Sequence, residues 1–167
     1  MSEPTFESVW TFAVRAYARD GVAPLCLRLQ DEHGLDVDVL LGALWLAERG
    51  ASWEPELLAC VLEAAAPVHA RVEELRALRR AVGGDRRHEP AWQRTYEHLR
   101  EAELAAERVE LGRIEAMLRD APAAPAPAPA SSLALASLRS YAARCHASEC
   151  DALLEQLVAL ALPNSES

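Results

Sequence analysis

Apolar residues recur at helical spacing from one end of the chain to the other. Phe6, Val9, Trp10, Ala13 and Tyr17 fall on one face, and Asp20-Gly21 closes that first helix. Val22, Leu25, Cys26 and Leu29 stripe a second. Gly34 suits the left-handed position just past its end, with His33 at the negative end of the helix dipole. Asp36 then caps a third helix, with Asp38 in its first turn and Leu35 and Leu40 in the two positions of a hydrophobic staple. This third helix, residues 37–47, is apolar on nearly every side, which predicts a helix buried in the middle of a bundle.

Trp53-Glu54-Pro55 opens the next helix, where proline is tolerated in the first turn, and Leu57, Leu58, Val61, Leu62 and Ala65 stripe it. Pro67 is expected to end or kink it, because proline lacks an N–H and would meet the carbonyl of Glu63. A further helix, striped by Val68, Val72, Leu75 and Val82, is expected to run to Gly83-Gly84. The longest element is expected from about Pro90 to Asp120, with Trp92, Tyr96 and Leu99 early and Leu104, Leu111 and Leu118 at seven-residue spacing.

"DAPAAPAPAPASS" (120–132) is a Pro/Ala spacer, extended and semi-rigid, reaching about 30 Å if it is polyproline II-like. Two short amphipathic helices follow. Ala134, Leu138, Tyr141 and Cys145 stripe one; Ser148 is the expected cap of the other, striped by Cys150, Leu153, Leu154, Leu157 and Ala161. A hairpin this small cannot bury both stripes alone, so it must dock on residues 1–119, on a second copy or on another protein. No alternating run of β-branched residues occurs. The expectation is an all-α fold: a helical bundle over 1–119 around the buried helix 37–47, a linker over 120–132, and a tethered C-terminal helical hairpin over 133–162.

Composition narrows the classes. No apolar run reaches the roughly 18 residues of a membrane span, and residues 1–20 lack a charged-then-apolar signal pattern, so no membrane is expected and the cytoplasm is the default compartment. Cys26, Cys60, Cys145 and Cys150 form no CxxC pair and are expected as buried free thiols. Seventeen arginines and no lysine stand against 26 acidic residues, for a net charge of −9. That balance disfavours nucleic acid and anionic membranes as partners.

"YARDGVAPLCLRLQDEHGLDVDVLLGALWLAERG" resembles the leading segment of a family of small proteobacterial proteins of unknown function. That family carries a Leu-Gln-Asp…His-Gly…Asp-Val-Asn pattern before an apolar helix with a Trp. "LRALRRAV" (75–82) and "AELAAERVEL" (102–111) resemble later segments of the same family, so the likeness spans roughly residues 5–119. Asp38 stands where the family pattern has Asn, which argues against amide-specific contacts there. The resemblance implies a bacterial, intracellular, helical protein and brings no activity with it.

Candidate chemistry is sparse. Between Gln30 and Asp38 the chain is dense in acids, yet Leu35 and Gly42 occupy the fifth and twelfth places of an EF-hand loop counted from Asp31, so the stretch is expected to be a joint between helices. Asp31 and Asp36 are separated by Gly34 and cannot share a helix face. Cys145, His146 and Cys150 make an incomplete zinc set without a fourth ligand. No phosphate loop or nucleophile elbow is present. The expectation is therefore no catalytic residue, no metal and no cofactor.

Two charged surfaces remain. Arg76, Arg79 and Arg80 share a face within a local arginine excess over 71–87, expected as a solvated helix C-terminus, with an anion site as the functional alternative. Glu97, Glu101, Glu103, Glu107 and Glu110 are expected to form an exposed face partly balanced by Arg94, Arg100, Arg108 and Arg113. The leading functional expectation is a non-enzymatic interaction or adaptor module, partnered by another protein or a second copy through its helix faces. The alternative is a binder of small anions, or an enzyme, with a pocket near Gln30, His33, Arg76, Arg79 and Arg80. A deep pocket that brings His33 to Arg79 or Arg80 favours the latter, and a flat apolar groove the former.

Overall fold

The computed structural model describes residues 7–162. Among these, α1 spans Val9–Tyr17, α2 Val22–His33, α3 Val37–Glu48, α4 Pro55–Asp85, α5 Gln93–Leu118, α6 Ala130–Arg144 and α7 Asp151–Ala161, with no strand. Phe6, expected on the α1 stripe, and the side chain of Ser148 lie outside the described residues. The chain enters α7 through a 3-10 turn over Ser148–Cys150, so the position expected for a Ser148 cap falls instead on Cys150, without a side-chain cap bond.

The uniformly apolar α3 is buried from Asp38 to Ala47, as its lack of a polar face requires. Its entry is built as the capping signals predict. Gly34 is left-handed at φ 67°, Asp36 Oδ1 accepts the Asp38 N–H at 2.9 Å, and Leu35 and Leu40 are fully buried. Trp45 is buried, with its indole N–H donating to the Glu7 carbonyl at 3.0 Å. Gly42 allows α5 to cross closely, because a Cβ there would stand 2.7 Å from Ile114 Cγ2.

The expected break at Pro67 does not occur. α4 runs unbroken for 31 residues and, rather than the 26-residue α5, is the longest element. Pro67 and Glu63 both face solvent, so the Glu63 carbonyl that loses its partner can turn to water. Buried Ala65, Val68 and Val72 hold the helix in place on the other side. α4 and α5 are antiparallel, since Arg76 meets Glu103 and Arg86 meets Gln93. Their first and last turns, through Leu58, Val61, Leu111, Ile114 and Leu118, join the main core. Beyond these the pair forms a two-helix arm. A two-helix seam has only one face to bury, and here polar contacts replace much of the apolar stripe.

The C-terminal hairpin docks on its own chain. Leu133, Leu138, Tyr141, Leu154 and Leu157 belong to the same core cluster as α1–α5. The Trp53 backbone N–H donates to Ser137 Oγ at 3.2 Å and its indole N–H to the Ser137 carbonyl at 2.9 Å. The Pro/Ala segment is fastened as well, with the Ala124 N–H donating to the Gly50 carbonyl at 2.9 Å. Of the four thiols expected inside, Cys26 and Cys150 are buried, whereas Cys60 and Cys145 are exposed on the outer sides of their helices. No helix among the described residues is long and apolar enough to cross a membrane.

Candidate cleft at the helix joint

A cleft of about 540 Å³ opens between α1, α2 and the start of α3 on one side and the α4–α5 arm on the other. Its mouth is apolar, formed by Trp10, Val14, Leu27 and Leu104. Its floor carries Asp36, Asp38, His69, Arg76, Glu107 and Glu110.

Helical spacing builds the floor. Glu103, Glu107 and Glu110 fall at i, i+4 and i+7 along α5, while His69, Glu73 and Arg76 fall at the same steps along antiparallel α4. Arg76, only 8% exposed, donates from Nε to Glu103 and from Nη2 to Glu107, each at 2.9 Å, and pairs with Glu73 through Nη1. Burial opposes its charge, but Glu103, Glu73 and Glu107 outweigh that and hold it above the ordinary arginine range. Arg79 also pairs with Glu103. Glu103 in turn stays below the usual carboxylate range, because Arg79 and Arg76 overcome the effect of burial.

The other end of the floor holds three carboxyl groups, those of Asp36, Asp38 and Glu110, and the imidazole of His69. Asp36 uses its two oxygens separately. Oδ1 caps α3, while Oδ2 stands 3.0 Å from His69 Nδ1. The Asp36 backbone N–H donates to the Tyr141 hydroxyl at 2.8 Å, which ties this residue to α6. Glu110 has no exposed side-chain surface, and its Oε1 lies 3.3 Å from the same His69 nitrogen. Despite these short distances, His69 Nδ1 makes no directional hydrogen bond, and neither Glu110 oxygen receives one. The three groups are close in charge but not aimed at one another as donor and acceptor. Asp36 and Glu110 nonetheless raise the imidazole pKa well above its ordinary value. Burial pushes Glu110 up, with the Asp36 charge adding to it. Asp38 is pushed up to about 9, first by burial and then by Asp36 and Glu110.

Several sequence expectations change here. Gln30, Arg76, Arg79 and Arg80 line the cleft, but His33 does not. Arg76 and Arg79 are not a solvated helix end, because α5 lies across them; only Arg80, paired with Asp31 at 3.2 Å, keeps a solvated position. Glu103 and Glu110 are buried, so the α5 acids are not a uniformly exposed face. The 30–38 stretch is the joint it was expected to be, and Asp36 also faces the cleft. His69 had no place among the candidates. Its one signal was the i, i+4, i+7 register with Glu73 and Arg76, complementary to Glu103, Glu107 and Glu110. Of the "CHASEC" set, Cys150 is buried with its thiol donating to the Ala147 carbonyl at 2.8 Å, while Cys145 and His146 are exposed.

The family described as "Protein of unknown function (DUF2390)" matches residues 8–114, which contain every element of this floor. No curated protein and no solved structure matches the chain. The chain belongs to that family of unknown function.

Proposed function

We propose that this member of the family binds a small amphiphilic molecule in the cleft. The observation that carries this reading is the cleft itself: about 540 Å³, with an apolar mouth leading to a buried, charged floor. Ligand sites have this size and this mixture, a mostly apolar lining with a few convergent polar groups that fix orientation. The apolar body of the ligand would lie against Trp10, Val14 and Leu104, with its head at the floor. Arg76 and Arg79 are already held by carboxylates, so the floor favours a neutral, cationic or metal-binding head over the anion that the arginine cluster suggested. The adaptor reading draws less support, because the stripes of α6 and α7 are buried on their own chain and not open to a partner.

Nile red, a neutral amphiphilic dye, tests this. The full chain should bind one equivalent saturably, and Val14→Arg and Leu104→Arg should each abolish that signal. Both residues lie at the mouth and are 54% and 52% exposed, so neither change threatens the core. Absence of saturable binding, or equal binding by the variants, would refute the reading.

A further inference from the structure

We propose that Asp36, His69 and Glu110 form a site for a divalent first-row transition-metal ion at the floor of the cleft. Each contributes one ligand atom, and the three atoms lie within 4.8 Å of one another. Two ligands each about 2.1 Å from a tetrahedral ion stand roughly 3.4 Å apart. His69 Nδ1 is 3.0 Å from Asp36 Oδ2 and 3.3 Å from Glu110 Oε1, so a shift of a few tenths of an ångström would admit an ion between them.

Glu110 separates this group from an ordinary acidic cluster. It is wholly buried, and both of its oxygens lack a hydrogen-bond donor. Buried polar atoms are almost always satisfied, and a buried carboxylate without donors is costly. Its Oε1 faces an imidazole nitrogen that likewise makes no directional bond. A cation between them satisfies both groups at once.

The ligands are also held in place. Asp36 is fixed by its cap bond and by Tyr141, and His69 and Glu110 sit within long helices locked together by the Arg76 network. One nitrogen with two carboxylates suits Mn²⁺, Fe²⁺ or Zn²⁺ better than the all-oxygen surroundings typical of Ca²⁺. All three ligands line the cleft, which leaves the remaining coordination positions turned toward it. That those positions receive the polar head of a cleft ligand rests on the reading above; the ion site itself does not.

The test uses the untagged full chain, stripped with EDTA and titrated with Mn²⁺ alone while the free-ion electron paramagnetic resonance signal is followed. Mn²⁺ is the first probe because exposed Cys60 and Cys145 would capture Zn²⁺ adventitiously. One Mn²⁺ should bind per chain, and Glu110→Gln and His69→Ala should each weaken it by about tenfold or more. His69 is one-third exposed, so its variant serves if the buried Glu110→Gln chain does not fold. Val14→Arg, which blocks the cleft mouth, should leave Mn²⁺ binding intact. A wild-type chain that takes up Mn²⁺ but shows no saturable dye binding sinks only the ligand reading. A folded chain that takes up no Mn²⁺, or one whose affinity survives His69→Ala unchanged, overturns the metal site.

Discussion

Arg76→Met asks whether the charged seam of the α4–α5 arm is a structural interior or a solvated surface. The replacement keeps an unbranched stem and removes the guanidinium. Glu107 then loses the cation that pairs with it, and Glu103 keeps only Arg79. Removing one partner from a buried ion pair costs about 3–5 kcal/mol, since the remaining charge stays desolvated. For a chain of this size each kcal/mol lowers Tm by roughly 2–4 °C, so the loss should be about 6–20 °C. The pH dependence makes the test sharper. In the wild type Glu103 has its folded pKa below the unfolded value. Its contribution is therefore present above that unfolded value, about 4.3, and is lost as pH falls through the folded one. Without Arg76 the folded pKa values of Glu103 and Glu107 should rise, so these groups should destabilise the variant increasingly as pH rises above about 4. Urea unfolding followed by circular dichroism in EDTA should show the largest gap near pH 7.5 and a much smaller one near pH 4. A gap under about 1 kcal/mol, the range of a surface pair, or one independent of pH would refute a buried network.

Trp45→Ala should cost about 3–5 kcal/mol through the cavity it leaves, read from the urea midpoint. Asp36→Ala removes the α3 cap and should cost roughly 0.5–2 kcal/mol, whereas Asp36→Asn should recover most of it, because asparagine caps as well. Gly42→Ala should destabilise by about 1–3 kcal/mol despite better helix propensity, because its methyl group meets Ile114; combined with Ile114→Ala it should cost less than the sum of the two single changes. A chain ending at Asp120 should lose its cooperative thermal transition, since it lacks Leu133, Leu138, Leu154 and Leu157 from the shared core.

The helices were legible because each rests on short-range signals. The caps at Asp36, Gly34 and Pro55 and the all-round apolar character of α3 are fixed by neighbours within one or two turns. Pro67 misled because its cost is local while the force that overrides it, packing along buried Ala65, Val68 and Val72, is not. The same limit hid the burial of Arg76 and Glu103. Alone, each helix looks like a charged solvated face, and only the pairing of α4 with α5 turns the two faces inward. The apolar spacer residues of both helices gave the stripes, whereas the antiparallel register that joins Arg76 to Glu103 and His69 to Glu110 depends on contacts far apart in sequence.

Asp36 shows why a joint and a site need not be alternatives. A carboxylate has two oxygens, and a helix cap occupies one. Oδ1 accepts the Asp38 N–H, a bond that fixes the side-chain torsions and leaves Oδ2 on the cleft side, 3.0 Å from His69 Nδ1. The backbone of the same residue is held by Tyr141 from α6, far along the chain. Placing a ligand at a helix N-cap thus gives it a defined direction without additional side chains, and it binds the chemistry of the cleft to the integrity of the fold. Cap and ligand are then separable by substitution: Asn at position 36 preserves the first role and weakens the second, while Ala removes both.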